Sequence, residues 1–318
     1  MKDHDFKAHG LFKEDLELLF RDALDIPDLS IERTLGGMSN INLLAQSEQA
    51  VLVLRIPPLI IEYSASHFEQ EFRVLGEMAP KGLSPHPMLC GTLDDDNHTP
   101  FLAYHYEPGV VHSQLDSMSH DELWKLKTCL EQLQPLDVSG MPIYSTAIEY
   151  LHYLRARADS FLTGSESLSE KTRRAMASFD ESHRSLEVIL DEVNWSGSAM
   201  HGDLRPSNVI FQDDRVLLLD WSELCEGTAY YDVVYLLSEP MEPFLVDIPK
   251  SFASGDSAEM LRLRSLALFS CISWTLERLI RYELRQVAAM VSNEDSVQSM
   301  EAYVRIKTAQ LSQILSRL

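Results

Sequence analysis

The sequence predicts a two-lobed α+β protein, with a small β-rich lobe over residues 1–106 and a larger, mostly helical lobe over 107–318. Three observations carry this. Short runs rich in β-branched and aromatic residues fill about 30 to 106, apolar residues at helical spacing dominate from about 117 onward, and Glu107-Pro108-Gly109 separates the two textures.

In the first lobe, Leu11 to Leu24 reads as a helix, with Leu16, Leu19, Phe20 and Ala23 on one face, and Ile26-Pro27-Asp28 ends it. Ser30 to Leu35 reads as a strand, and Gly36-Gly37 forces a turn. Asn42 to Ser47 and Ala50 to Ile56 form a hairpin about Glu48-Gln49, closed by Pro57-Pro58. Ser66 to Ala79 is amphipathic through Phe68, Phe72, Leu75 and Met78. Met88 to Leu93 and Phe101 to Tyr106 pair across Asp94-Asp95-Asp96-Asn97.

In the second lobe, Ser119 to Leu133 carries a leucine stripe, with Ser119 and Glu122 spaced as a capping box. Further helices are expected at 145–162, 168–193, 256–287 and 297–317. Val209-Ile210-Phe211 and Val216 to Leu219 form a small hairpin between them.

Composition narrows the function. Lys and Arg number 27 against 49 Asp and Glu, a net charge of −22. A general nucleic-acid binder is excluded, because such proteins neutralise phosphates with Lys and Arg. The acidity favours cationic small molecules or serves solubility alone. Cys90, Cys129, Cys225 and Cys271 are scattered, so they form neither a disulfide framework nor a zinc ribbon. The charged N-terminus lacks a signal-peptide core. The uncharged run Ser265 to Leu276 holds twelve residues, short of the about twenty that span a bilayer. A soluble cytoplasmic protein with no membrane partner is expected, and no pattern fixes its oligomeric state.

The chemistry concentrates in His201-Gly202-Asp203-Leu204-Arg205-Pro206-Ser207-Asn208, followed twelve residues later by Asp220 in Leu-Leu-Leu-Asp-Trp. An Asp, four residues and an Asn have the spacing of kinase catalytic loops. Asp203 is placed to orient an acceptor hydroxyl and take its proton. The Asn208 amide and the Asp220 carboxylate supply hard oxygens for Mg²⁺. Arg55 lies within an apolar strand and needs a partner, which Glu69 or Glu71 on the following helix can provide.

These motifs resemble the aminoglycoside phosphotransferase and choline kinase-like superfamily, whose members share a protein-kinase-like fold. The resemblance runs through about residues 30 to 240 and implies an Mg-ATP-dependent phosphotransferase, with GTP an alternative nucleotide. It makes Asp203 the catalytic residue and Asn208 and Asp220 the metal ligands. Leu35-Gly36-Gly37-Met38-Ser39-Asn40 is similar to the family's nucleotide loop, which implies phosphate contacts at Gly37, Ser39 and Asn40. Arg55 stands at the phosphate-binding position, and Glu71 fits the family's helix pattern better than Glu69. The stretch Phe101 to Gly109 resembles the lobe connector, whose backbone at Tyr104, His105 and Tyr106 is expected to meet the base. Asp232 implies a structural role, holding the loop after Asp220.

The acceptor is a small-molecule hydroxyl. A cationic acceptor is favoured, either a choline-like amino alcohol or an aminoglycoside, with thiamine, a sugar or a homoserine-type acceptor as alternatives. Trp274, Tyr230 and Tyr231 are candidates for a cation–π box, and Ser222 faces the acceptor side in the resemblance. Ser222 and Arg205 both depart from the family pattern. The competing class is a pseudokinase, which binds nucleotide or a partner without turnover. Retention of Asp203, Asn208 and Asp220 argues against it.

Overall fold

The computed structural model describes residues 7–8, 11–36, 40–57, 64–133, 141–160, 168–195, 197–238, 257–284 and 294–318. The chain divides into two compact units, Met1–Val110 with Ile210–Ser222, and Val111–Val209 with Glu223–Leu318. The first is strand-rich and the second helical, as the fold class requires.

In the first unit, helix α1 (Lys13–Leu24) precedes strand β1 (Ser30–Gly36), β2 (Ile41–Gln46) and β3 (Val51–Ile56). Helix α2 (Ser64–Met78) follows, then β4 (Pro87–Thr92) and β5 (Pro100–His105). The strands form one antiparallel sheet in the order β1-β2-β3-β5-β4. Period-two alternation sorts the faces. Leu43 and Ala45, Leu52 and Leu54, and Phe101 and Ala103 join Leu16, Phe20 and Leu24 of α1 in one buried core. Arg55 lies between Leu54 and Ile56 in sequence, opposite Asn42 on one side and Leu102 on the other. Alternation therefore turns it to the face away from α1. The β2–β3 turn is fixed by Ser47, whose hydroxyl oxygen accepts from the Gln49 and Ala50 N–H groups.

The expected division at 106/107 is corrected by the hairpin with arms Val209–Phe211 and Val216–Leu218. Its segment Ile210–Ser222 belongs to the first unit. The Leu218 N–H donates to the Leu83 carbonyl at 2.8 Å. Gln212 and Arg215, in its turn, donate to the Glu107 carboxylate at 3.2 and 3.1 Å. A Cβ on Gly109 would stand 2.4 Å from Ile210 Cγ2 and 2.7 Å from the Phe211 carbonyl, so only glycine allows this approach.

The second unit contains α3 (His120–Leu133), α4 (Ala147–Ser160), α5 (Glu170–Ile189), α6 (Ala229–Leu236), α7 (Ser257–Glu283) and α8 (Glu294–Leu315). The capping box on α3 forms as its spacing predicts: the Ser119 N–H donates to Glu122, and the Glu122 N–H to the Ser119 hydroxyl. Helix α7 packs against α4, α5, α6 and α8. This explains why Ser265 to Leu276 is uncharged and buried all round, since a helix surrounded by helices has no wet face. Among the described residues, no helix is long and apolar enough to cross a membrane.

Phe20 is fully buried and meets Phe101 edge-on, with centroids 5.3 Å apart. Phe20→Ala should destabilise the protein by about 3–5 kcal/mol, read as a lower denaturant midpoint; a change under about 1 kcal/mol would contradict the packing of α1 on the sheet.

Candidate functional site

Within the first unit, the site is organised by one guanidinium. Arg55 is 4% exposed. Its Nη1 donates to Glu71 Oε1 at 2.6 Å, and its Nη2 to Asp220 Oδ1 at 2.7 Å. Glu71 comes from α2 and is itself buried. The structure thus selects Glu71, and it adds an Asp220 pairing that the sequence did not suggest. Burial raises the Glu71 carboxyl above the usual range; Arg55 pulls it back, while the charge of Asp220 pushes it further up.

Asp220 follows the second arm of the hairpin and has φ +63°, a left-handed conformation rare outside glycine. Such strain clusters at functional positions. The Ser222 hydroxyl donates to Asp220 Oδ1 at 3.2 Å. Ser222 therefore supports the carboxylate in this structure. With Arg55 and Ser222 both on Oδ1, Oδ2 makes no hydrogen bond among the described residues.

Asn40 is described and half-buried; Gly37 and Ser39 lie outside the described residues. Tyr104 is buried, and the two residues after it spend their N–H groups within the unit. His105 donates to the His86 carbonyl and Tyr106 to the Val51 carbonyl, both at 2.9 Å. These two N–H groups are therefore already engaged within the unit. The Glu107 N–H, which sequence reasoning did not single out, has no hydrogen-bond partner among the described residues.

In the second unit, Asp232 on α6 accepts the His201 N–H at 2.7 Å and the Gly202 N–H at 3.0 Å. It holds the loop before Asp203, which corrects the expected role after Asp220. Two converging amides need both carboxylate oxygens, and α6 supplies them. Gly202 has φ +84°, and a Cβ there would stand 2.5 Å from the Glu223 carbonyl. His201 is fully buried and accepts the Asp203 N–H through Nδ1 at 3.3 Å, a structural bond.

Asp203 Oδ1 accepts two donors, Arg205 Nε at 2.8 Å and the Tyr235 hydroxyl at 2.7 Å. Arg205 also donates through Nη2 to the Tyr235 oxygen at 3.1 Å. Oδ2 makes no hydrogen bond among the described residues. Burial alone would raise this carboxyl, but Arg205 and Tyr235 outweigh it and hold it down to about 2. Asn208 donates through Nδ2 to the Asp203 carbonyl at 2.9 Å, which directs its Oδ1 away as an acceptor.

A further network in this unit was invisible in the sequence. Arg157 of α4 donates to Glu277 of α7 at 2.8 Å and pairs with Glu223 at 3.4 Å. The Tyr153 hydroxyl donates to Glu223 at 3.1 Å. The Arg157 guanidinium lies 3.9 Å from the centroid of Trp274. One face of that ring already holds a cation of the chain itself. Tyr231 has no exposed surface and packs edge-on to Tyr150. Tyr230 is half-buried against the same core. The three aromatics therefore do not form an open cation box.

Each unit thus presents a hard oxygen of the kind Mg²⁺ takes: Asp220 Oδ2 in the first and Asn208 Oδ1 in the second, each oriented by a bond at the other atom of its group.

A strand-rich unit with a buried Arg–Glu pair, and a helical unit with an Asp-x4-Asn loop, define a protein of the kinase-like α+β class. The description "Phosphotransferase enzyme family" belongs to the family profile that matches residues 30–266, and the chain is a member of that family. No curated protein matches the chain. Among solved structures, the chain resembles the choline kinase LicA from Streptococcus pneumoniae, at 15% identity over 95% of this chain and 99% of that one, with a TM-score of 0.66. It also resembles the GDP complex of aminoglycoside 2'-phosphotransferase-IIIa, at 16% identity over 93% and 98% of the two chains, TM-score 0.64. The spectinomycin phosphotransferase APH(9)-Ia, in complex with ADP and spectinomycin, is similar at 13% identity over 97% and 99%, TM-score 0.62.

Removing Arg55 leaves two carboxylates facing each other without their cation. Arg55→Met should destabilise the protein by about 3–5 kcal/mol in denaturant melts, and Glu71→Leu added to it should recover part of the loss. Additive losses would show that the pair is not coupled.

Proposed function

We propose that the protein transfers the terminal phosphoryl group of Mg-bound ATP, or GTP, to a hydroxyl of a small molecule. The observation that carries this reading is the state of Asp203: one oxygen saturated by Arg205 and Tyr235, the other without a partner, on an Asp-x4-Asn loop. Oδ2 accepts the hydrogen bond of the acceptor hydroxyl and aims its oxygen at phosphorus. At so low a pKa Asp203 is a weak base. Its contribution is orientation, with the proton passing to Oδ2 as the new O–P bond forms and the bond from phosphorus to the departing nucleoside diphosphate breaks. Little more is needed, because phosphoryl transfer is accelerated chiefly by positioning and charge stabilisation.

Asn208 and Asp220 hold Mg²⁺, which when bound neutralises charge on the phosphates. Arg55 grips the phosphates with Glu71 fixing its fork, and Asn40 with Gly37 and Ser39 forms the loop that covers them. The Glu107 N–H donates to the base. Similar solved structures hold GDP in one case and ADP in another, which supports either nucleotide.

The acceptor is proposed to be cationic, a choline-like amino alcohol or an aminoglycoside, on the charge of −22 and the likeness to enzymes named for those substrates. Net charge raises the local concentration of cations without itself placing a binding group. With Arg157 on Trp274, a quaternary amine must be met elsewhere than on that ring face.

The test is ADP or GDP release from the Mg-nucleotide across choline, ethanolamine, thiamine, several aminoglycosides, homoserine and simple sugars. One acceptor should give turnover that Asp203→Asn abolishes while nucleotide binding persists. Wild-type turnover in Asp203→Asn would sink the mechanism, and nucleotide binding with no turnover on any acceptor would favour the pseudokinase.

The pH dependence separates orientation from general base catalysis. Asp203 is depressed in the folded protein, so it stays ionised down to about pH 2 and sets no acid limb in the working range. Arg205→Met removes the main opposing charge, and burial then moves the carboxyl upward against the remaining Tyr235 bond and Arg278 charge. The acid limb of kcat/KM should move up into the measurable range in this variant. An unchanged profile would show that Arg205 does not tune Asp203.

A further inference from the structure

The helical unit contains a cluster of metal-ligand type that the phosphotransfer reading does not use. His152 on α4 and His183 and Glu187 on α5 bring two imidazole nitrogens and a carboxylate oxygen within 4.8 Å of one another. His183 and Glu187 are four residues apart on one helix, so they share a face. His152 reaches across from the neighbouring helix, its Nε2 2.9 Å from Glu187 Oε1.

Hydrogen bonding accounts for only part of this cluster. His152 and Glu187 satisfy each other, but His183 gains nothing. Its Nδ1 stands 3.7 Å from Glu187 Oε2, beyond a hydrogen bond, and its Nε2 is buried without a partner among the described residues. The side chain of His183 is only 15% exposed. A part-buried imidazole with neither nitrogen bonded is unfavourable unless something else occupies one of them.

A metal ion on Nδ1 would occupy one of the two nitrogens. Bonds of about 2.0–2.1 Å in a tetrahedron set ligand atoms about 3.4 Å apart. His152 Nε2 stands 2.9 Å from Glu187 Oε1 and His183 Nδ1 3.7 Å from Oε2, so each imidazole faces its own carboxylate oxygen. Small rotations of the exposed His152 and Glu187 side chains would bring one oxygen to both. Two imidazoles and one carboxylate suit a borderline divalent ion, zinc above all, and not Mg²⁺, which demands oxygen ligands. Arg155, whose charge acts on His183, is engaged by Asp159 and Asp180.

We propose that His152, His183 and Glu187 form a zinc-class binding site, with a fourth position open to water, that clips α4 to α5. The site is independent of the phosphotransfer reading. Its consequence is structural: an ion bound to the folded chain and not the unfolded one raises stability by mass action.

The test uses the untagged, chelator-treated chain in Mg²⁺ buffer, titrated with Zn²⁺ by calorimetry and by thermal melting, and with Co²⁺ by visible absorption. We expect one equivalent of Zn²⁺ per chain, a Tm higher by several degrees, and the strong visible bands of tetrahedral Co²⁺. His152→Ala and Glu187→Gln should each lose the Tm rise and weaken binding by more than the about 10–100-fold that an outer-sphere partner is worth. Both side chains are substantially exposed, so both variants should fold as the parent does in the absence of Zn²⁺. No binding, or binding that both variants leave intact, overturns the proposal; the latter result would mark an adventitious ion elsewhere on the chain.

Discussion

A guanidinium buried on a sheet face cannot stand without counter-charge, and that constraint organises the first unit. Arg55 sits on β3 where alternation turns it away from the α1 core. It then draws one carboxylate from α2 and a second from the segment after the hairpin. Helix α2, the hairpin and the left-handed turn at Asp220 are thereby tied to one strand register. Buried ion pairs contribute little net stability against well-packed apolar alternatives, but losing one partner is severe. The arrangement is therefore better understood as fixing a geometry than as strengthening the fold.

The buried carboxylates are not all tuned in one direction. Burial pushes Glu71, Glu223 and Asp232 up. Asp203 alone among these four is held well down, because Arg205 and Tyr235 both converge on one of its oxygens. Environments that separate the titration of neighbouring acids also separate their roles. Asp232 and Glu223 serve as scaffolding, and Asp203 remains an ionised acceptor with one oxygen in reserve. Arg205 does this without touching Oδ2, so it orients the carboxylate and leaves that oxygen open.

Much of this was legible in the chain. The sheet, the α3 cap and the Arg55–Glu71 pair follow from period-two alternation, capping spacing and the need of a buried charge for a partner, all of which are local or nearly so. What escaped depends on separations that no spacing encodes. Arg157 reaches Trp274 from a helix more than a hundred residues earlier. Asp232 was read toward its sequence neighbour Asp220, whereas its carboxylate accepts amides about thirty residues upstream. The donors of His105 and Tyr106 were consumed by carbonyls that only the folded sheet and its flanking loop bring opposite. The segment Ile210–Ser222 joined the first unit through the Leu218–Leu83 bond and the salt bridge of Arg215 with Glu107.

The strongly acidic charge looks different once these partners are known. The acids around the Asp203 loop and the Arg55 cluster are mostly answered by arginine: Glu71 and Asp220 by Arg55, Asp203 by Arg205, Glu223 and Glu277 by Arg157. The large excess of negative charge is therefore carried elsewhere, where it acts through solvent and is screened within about 8–10 Å at ordinary salt. Such a field gathers cations without distinguishing among them. In the reaction proposed above, discrimination between one hydroxyl acceptor and another falls to short-range hydrogen bonds around Asp203, where an unmatched polar group is penalised most. On that proposal net charge and acceptor identity are separate properties of the chain, and the residues nearest Oδ2 decide the second.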